Sequence, residues 1–136
     1  MVTPEQISNA KIIFSPLNWG MGHVSRSLPL LNQLLDQNNS ITVFCTSKQQ
    51  EIYELYFSNL RFIHHEPYAF SFGTMGFNTW EFLKQLPCLI KQHRAEQKRI
   101  AEYIALNPTD YIISDQRYGF RSTSACSIFM THQCRL

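Results

Sequence analysis

The 136 residues contain no Cys-x-x-Cys pair, no Gly-Lys-Ser/Thr and no apolar run of membrane-spanning length. The first absence removes the spacing by which a structural zinc is held, and the scatter of Cys45, Cys88, Cys126 and Cys134 signals no disulfide framework. Reduced thiols in a cytosol fit that pattern. The second absence excludes a Walker phosphate loop, and the third leaves no transmembrane helix to expect. Charge of one sign is scarce too: twelve Lys plus Arg against ten Asp plus Glu give no electrostatic case for nucleic acid, so no nucleic-acid partner is expected. Residues 1–10 are polar and lack a basic region followed by an apolar core, so they read as a tail and not as a secretory signal. The remaining length supports one domain over 11–136.

What the chain does have is alternation. Apolar, β-branched or aromatic runs at 11–15, 41–45, 60–64, 111–114 and 127–131 lie between polar turn residues and predict five strands. After the first, Leu28, Leu31, Leu34 and Leu35 recur at helical spacing, with Asn38-Asn39 as a stop. Pro29 leaves two starts open: Ser25 or Ser27 caps a late helix, or the helix begins at His23 with one hydrogen bond missing. Ser47 predicts the N-cap of a second helix through Phe57. Apolar positions from Phe82 to Ile104 predict a long helix over 79–106, kinked near Pro87 and ended by Asn107-Pro108. The pattern as a whole predicts an α/β fold, a parallel sheet with helices on both faces. Residues 65–78 carry Pro67, Gly73, Gly76, Tyr68, Phe70, Phe72 and Phe77, the composition of a binding loop.

The chemistry concentrates where the first strand meets the first helix, at Asn18-Trp19-Gly20-Met21-Gly22-His23. Two glycines there let the backbone take positive φ and let a ligand come close, while the helix that follows offers amide groups and a partial positive charge to an anion. Ligands of open α/β sheets bind beyond the carboxyl ends of the strands, where this turn must lie, and an imidazole there can accept a proton near neutral pH. Asp115 follows the fourth strand directly and would emerge at the same edge. A carboxylate on the far ring nitrogen would set the imidazole tautomer; a helix cap or an Asx turn is the equally open alternative for Asp115. Arg117, His132 and Gln133 fall at that edge too, as parts of a polar rim, with surface solvation the plain reading of Arg117.

Other chemistries are disfavoured. Ser25 stands where a dinucleotide loop would place its third glycine, and Cys45-Thr46-Ser47 closes the second strand without a carboxylate, so no nicotinamide or flavin, and no cofactor, is expected. His64 and His65 lack a third donor at ligand spacing, so no metal site is proposed. Lys84, Lys91, Arg94, Lys98 and Arg99 flank apolar positions of the long helix, a composition compatible with peripheral contact to anionic lipid.

The segment from Lys11 to Arg26, with its Asn-Trp-Gly-Met-Gly-His, resembles the opening of GT-B glycosyltransferases, in particular the MurG-like group and its bacterial relatives. Ser114-Asp115-Gln116-Arg117-Tyr118-Gly119 and Phe129-Met130-Thr131-His132-Gln133 are similar to later segments of those proteins, so the likeness covers nearly the whole chain. It implies a Rossmann-like domain, the amino-terminal, acceptor-binding half of a GT-B fold, with the donor-binding half absent. By the same likeness His23 and Asp115 correspond to the catalytic pair, and Asn18, Gly20, Gly22, Arg117, His132 and Gln133, at the same turn and sheet edge, are the expected acceptor- or phosphate-binding residues. The expected reaction is hexosyl transfer from a nucleotide-sugar, UDP-linked in most of the family, to a hydroxyl acceptor, with a lipid-linked acceptor one option. Nucleotide-sugar would bind only with a second domain or subunit, so the chain alone is expected to be inactive. The expected location is the cytoplasm, with the inner face of the membrane as a peripheral alternative. Two further readings remain: a non-catalytic acceptor or membrane-docking subunit of a split glycosyltransferase, and a fragment of a sugar-nucleotide epimerase.

Overall fold

The computed structural model describes residues 2–67 and 79–131. Five strands, β1 (Lys11–Pro16), β2 (Ser40–Cys45), β3 (Arg61–His64), β4 (Tyr111–Asp115) and β5 (Cys126–Met130), form one sheet in the order β3-β2-β1-β4-β5. Every pairing is parallel, with Phe14 opposite Val43 on one side and Ile113 on the other. Parallel neighbours need crossovers, and α1 (Gly22–Asp36), α2 (Ser47–Tyr56) and α3 (Thr79–Leu106) supply three of them.

The strand period of two sorts the core into halves. Ile12, Phe14, Ile41, Val43 and Ile113 meet Val24, Leu31 and Leu34 of α1 and Tyr53 of α2. Ile13, Phe44 and Ile112 point the other way, against Ile100 of α3 and Phe120. Helices therefore cover both faces, which is why the central strands read as continuous apolar runs and not as alternating ones. The fold is the α/β parallel sheet with helices on both faces that the alternation predicted, and it is Rossmann-like, as the resemblance implied. Among the described residues, no helix is long and apolar enough to cross a membrane.

Several local expectations are revised. The helix start left open by Pro29 resolves to the early one: α1 begins at Gly22 and carries Pro29 inside it. Ser27, considered as a cap, is instead a buried residue whose hydroxyl meets Val24 O at 2.7 Å and Tyr53 Oη at 2.6 Å. The N-cap of α2 is Thr46, not Ser47, in a reciprocal capping box with Gln49. Residues 2–10, read as a polar tail, make a short 3-10 turn at Pro4–Gln6 and bury Ile7 and Ala10 against the sheet and α1. The aromatic residues Tyr68, Phe70, Phe72 and Phe77 of the expected binding loop lie outside the described residues.

Candidate functional site

The β1–α1 turn is built as its glycines suggest, with one correction. Gly20 takes φ +80°, and a Cβ built there would meet nothing within 4 Å. Gly22 does not share the positive φ; it is the first residue of α1, again with open space at its Cα. The backbone of the turn is thus open to a ligand at both glycines. Gln49 of α2 steadies the loop by donating its Nε2 to Leu17 O at 3.1 Å. Asn18 is half-buried beside it, and Trp19 is exposed.

Starting α1 at Gly22 turns His23 toward the end of β4, whose Asp115 is 92 residues away in sequence but whose strand pairs with β1, just before the turn. His23 Nδ1 lies 3.0 Å from Asp115 Oδ2. Asp115 is fully buried, while the His23 side chain keeps 12% of its surface exposed. The second carboxylate oxygen accepts from Arg26 Nη2, and the same guanidinium nitrogen lies 3.0 Å from His23 Nδ1. Both contacts to Nδ1 cannot be hydrogen bonds at once, since one needs a proton on the nitrogen and the other a lone pair. A carboxylate oxygen facing a lone pair at this distance would be repulsive. The arrangement therefore favours Nδ1–H donating to Asp115, with Arg26 held by the other carboxylate oxygen. In that tautomer the basic lone pair is on Nε2. A buried carboxylate without such partners would be strongly disfavoured, so Arg26 is part of what allows Asp115 to sit there.

Arg26 went unmarked in the sequence. Its signal is the i, i+3 spacing from His23, which puts both on one helix face, but only once the helix is known to begin before His23.

Arg117 is corrected more sharply. It is no solvated rim residue: only 3% of it is exposed, and its Nε donates to Glu96 Oε1 at 2.8 Å. The turn after β4 makes this possible. Gln116 adopts φ 58°, Ser114 Oγ donates to Arg117 O at 2.5 Å and accepts from Arg117 N at 3.1 Å, and the chain folds back over the sheet edge. Glu96 Oε1 also meets His65 Nε2 at 2.7 Å, and Arg117 Nη2 reaches Glu66 O at 3.0 Å. Arg99 closes the group, with Nη1 3.3 Å from His65 Nδ1 and Nη2 donating to His64 O at 2.5 Å. Burial holds the His65 pKa below its usual value, against the opposing pull of the Glu96 carboxylate. A neutral imidazole with its proton on Nε2 satisfies both neighbours. This ionic group ties the ends of β3 and β4 to α3 and borders a cavity of about 210 Å³ lined by His65, Glu96, Arg99 and Arg117.

A second cavity, of about 240 Å³, is lined by Lys11, Ser40, Arg61 and Pro108. It lies at the amino ends of the strands, away from His23. His132 and Gln133 lie outside the described residues. Among the described residues no group of three or more His, Cys, Asp or Glu could hold a metal ion.

No protein-family model matches the sequence, and no curated protein matches it. Among solved structures, two UDP-glycosyltransferases are similar to it. LpCGTa in complex with UDP is 17% identical with a TM-score of 0.49 over 78% of this chain and 26% of that one. UGT73P12 of Glycyrrhiza uralensis, complexed with glycyrrhetinic acid 3-O-monoglucuronide, is 13% identical with a TM-score of 0.46 over 78% and 24%. The chain thus spans about a quarter of the length of those proteins. The C-terminal domain of PF1911 hydrogenase from Pyrococcus furiosus is 10% identical with a TM-score of 0.51, covering 90% of this chain and 92% of that one. At this identity the hydrogenase match is a likeness of fold, and a Rossmann-like α/β sheet is compatible with many activities.

Proposed function

We propose that this chain is the acceptor-binding, amino-terminal half of a GT-B glycosyltransferase, with His23 as general base and Asp115 as the residue that orients it. The observation that carries the reading is the His23 Nδ1–Asp115 Oδ2 contact of 3.0 Å at the mouth of an open glycine turn. With the proton on Nδ1, Nε2 takes the proton of an acceptor hydroxyl as its oxygen bonds to the anomeric carbon and the nucleoside diphosphate leaves. Asp115 stabilises the imidazolium formed in that step, and Arg26 balances the carboxylate's charge. Asn18, Gly20 and Gly22 shape the acceptor subsite, and His132 and Gln133 are proposed as further acceptor-binding residues. Arg117 contributes by holding the strand ends through Glu96 and not as a direct ligand. The donor is a nucleotide-sugar, UDP-linked by the family resemblance, and its recognition belongs to a second domain or subunit.

Proton transfer by a positioned base contributes ~100 to 10,000-fold to a rate. His23→Ala in the two-domain enzyme should lower kcat by that factor while leaving the folded state intact. Asp115→Asn should lower kcat with a smaller change in KM. Unchanged turnover in His23→Ala would overturn the base assignment. Tight binding of UDP by this chain alone, read by calorimetric titration, would overturn the division of labour between halves.

A further inference from the structure

Four polar residues stand side by side in the amino-terminal half of the sheet. Lys11 is paired with Ser40 across β1 and β2, and Thr42 with Arg61 across β2 and β3. By the two-residue period of a strand they share the face of Ile13 and Phe44, the face that α3 covers. The helix does not close on them. It ends at Leu106, the chain turns back toward β4, and the cavity of about 240 Å³ lies between that turn and the four residues.

Thr42 is 8% exposed, whereas Lys11, Ser40 and Arg61 are exposed. The Thr42 hydroxyl lines the cavity and makes no hydrogen bond among the described residues. A buried hydroxyl is ordinarily paired, and valine would serve a buried strand position as well, so an unpartnered one at a cavity wall marks a place for a ligand atom. Tyr103 of α3, its ring edge-on to Phe44 at 5.0 Å, brings a phenol to the same space.

The two cations are not spent on ion pairs. Among the described residues neither Lys11 nor Arg61 pairs with a carboxylate through its side chain. Asp110 is close by, but its carboxylate accepts from the Lys11 backbone N at 2.8 Å. The carboxyl end of α3 adds a partial negative charge, which Asn107 blunts by donating its N and Nδ2 to Tyr103 O at 2.8 and 3.0 Å. Two full cations outweigh one carboxylate and the partial charge that remains.

We propose that this cavity binds the phosphate group of a small phosphate monoester. Lys11 and Arg61 supply the charge, and the hydroxyls of Ser40, Thr42 and Tyr103 donate to the phosphate oxygens. Five donor groups suit a terminal phosphate, with three oxygens and a charge of about −1.5 to −2 near neutral pH, better than a carboxylate with two oxygens and a single charge. The space exceeds a bare phosphate, and Pro108 offers apolar surface to the carbon that carries it. The site lies at the opposite edge of the sheet from Gly20 and His23, so the proposal is independent of the sugar-transfer reading.

The test is calorimetric titration of the whole chain with glycerol phosphate and with inorganic phosphate, at constant ionic strength set by sodium chloride. Glycerol phosphate should bind saturably, at one site, and more tightly than inorganic phosphate. Lys11→Gln, Arg61→Gln and Thr42→Val each remove a hydrogen bond to a charged group, so each should weaken binding roughly ten-fold or more. Lys11 and Arg61 are exposed and the Thr42 hydroxyl has no partner to lose, so without ligand the variants should keep the wild-type melting temperature, or exceed it in Thr42→Val. His23→Ala should bind as wild type does. Absence of saturable binding by either probe would overturn the proposal. So would binding that survives unweakened in Arg61→Gln and Thr42→Val, or that is lost in His23→Ala, since the glycine turn would then be the anion site. Binding of inorganic phosphate with glycerol phosphate excluded would overturn the assignment to a monoester.

Discussion

His65 is 3% exposed, edged by the rings of Phe44 and Phe120 and faced by Glu96, Arg117 and Arg99. Burial is the largest cause of its lowered pKa, and the two guanidinium groups add to it. The unfolded chain therefore binds a proton at a higher pH than the folded one. The stabilisation is fully present above the unfolded value of about 6.5 and is lost as pH falls from there toward the lowered folded value. Urea unfolding should show wild type losing stability between neutral pH and mild acid, with His65→Gln flattening that limb. An unchanged limb in the variant would mean that another group governs the acid side. The same pocket explains a glycine that looked incidental. A Cβ at Gly119 would overlap the Glu96 carboxylate and lie 3.1 Å from His93 O, so the turn after β4 closes tightly on the ionic group.

At the scale of elements, local signals were legible where they were local. The apolar runs fell on the strands, and Leu31 and Leu34 on the buried face of α1, because burial on both sides of a sheet leaves a continuous hydrophobic trace. The bounds of α3 were legible because Asn107-Pro108 cannot extend a helix. What stayed hidden was contact across the sequence. Arg117 reads as a surface cation until Glu96 is seen to meet it from a different element, and Arg26 reads as helix surface until β4 delivers Asp115 beneath it. The Thr46 cap was missed for a narrower reason: Thr46 and Ser47 are both good caps, and each has a glutamine three residues on, Gln49 or Gln50, so the capping-box pattern fits either and only the structure picks Thr46. Thr46 Oγ1 accepts from Gln49 N at 3.4 Å, and Gln49 Oε1 accepts from Thr46 N at 3.1 Å. Thr46→Ala should lower stability by about 1 kcal/mol in urea unfolding. Because Gln49 also holds Leu17 O in the β1–α1 loop, Gln49→Ala should be the more damaging of the two.

For the molecule as a whole, the sheet is covered unevenly. A parallel sheet is ordinarily buried on both faces, yet β5 is mostly open: Cys126, Ser127 and Phe129 are exposed, and Phe129 stacks at 4.8 Å on Tyr118, itself 68% exposed. A cavity of about 270 Å³ beside it is lined by Tyr118, Phe120, Ile128 and Phe129. Among the described residues β5 is also the last strand of the sheet, and an outer edge strand offers backbone groups to another chain. An apolar edge of this kind favours association. The isolated chain should self-associate reversibly between micromolar and millimolar concentration, measured by sedimentation velocity. Phe129→Lys puts a charge at the centre of the exposed ring pair and removes an apolar side chain whose burial contributes about 1.5–3 kcal/mol, which predicts a dissociation constant weakened by roughly ten-fold or more. Leu83→Ser, near the amino end of α3, should leave that constant unchanged. Equal sensitivity to both substitutions would place the contact on α3, and a chain monomeric throughout that range would show that the β5 edge is held apart by its own residues.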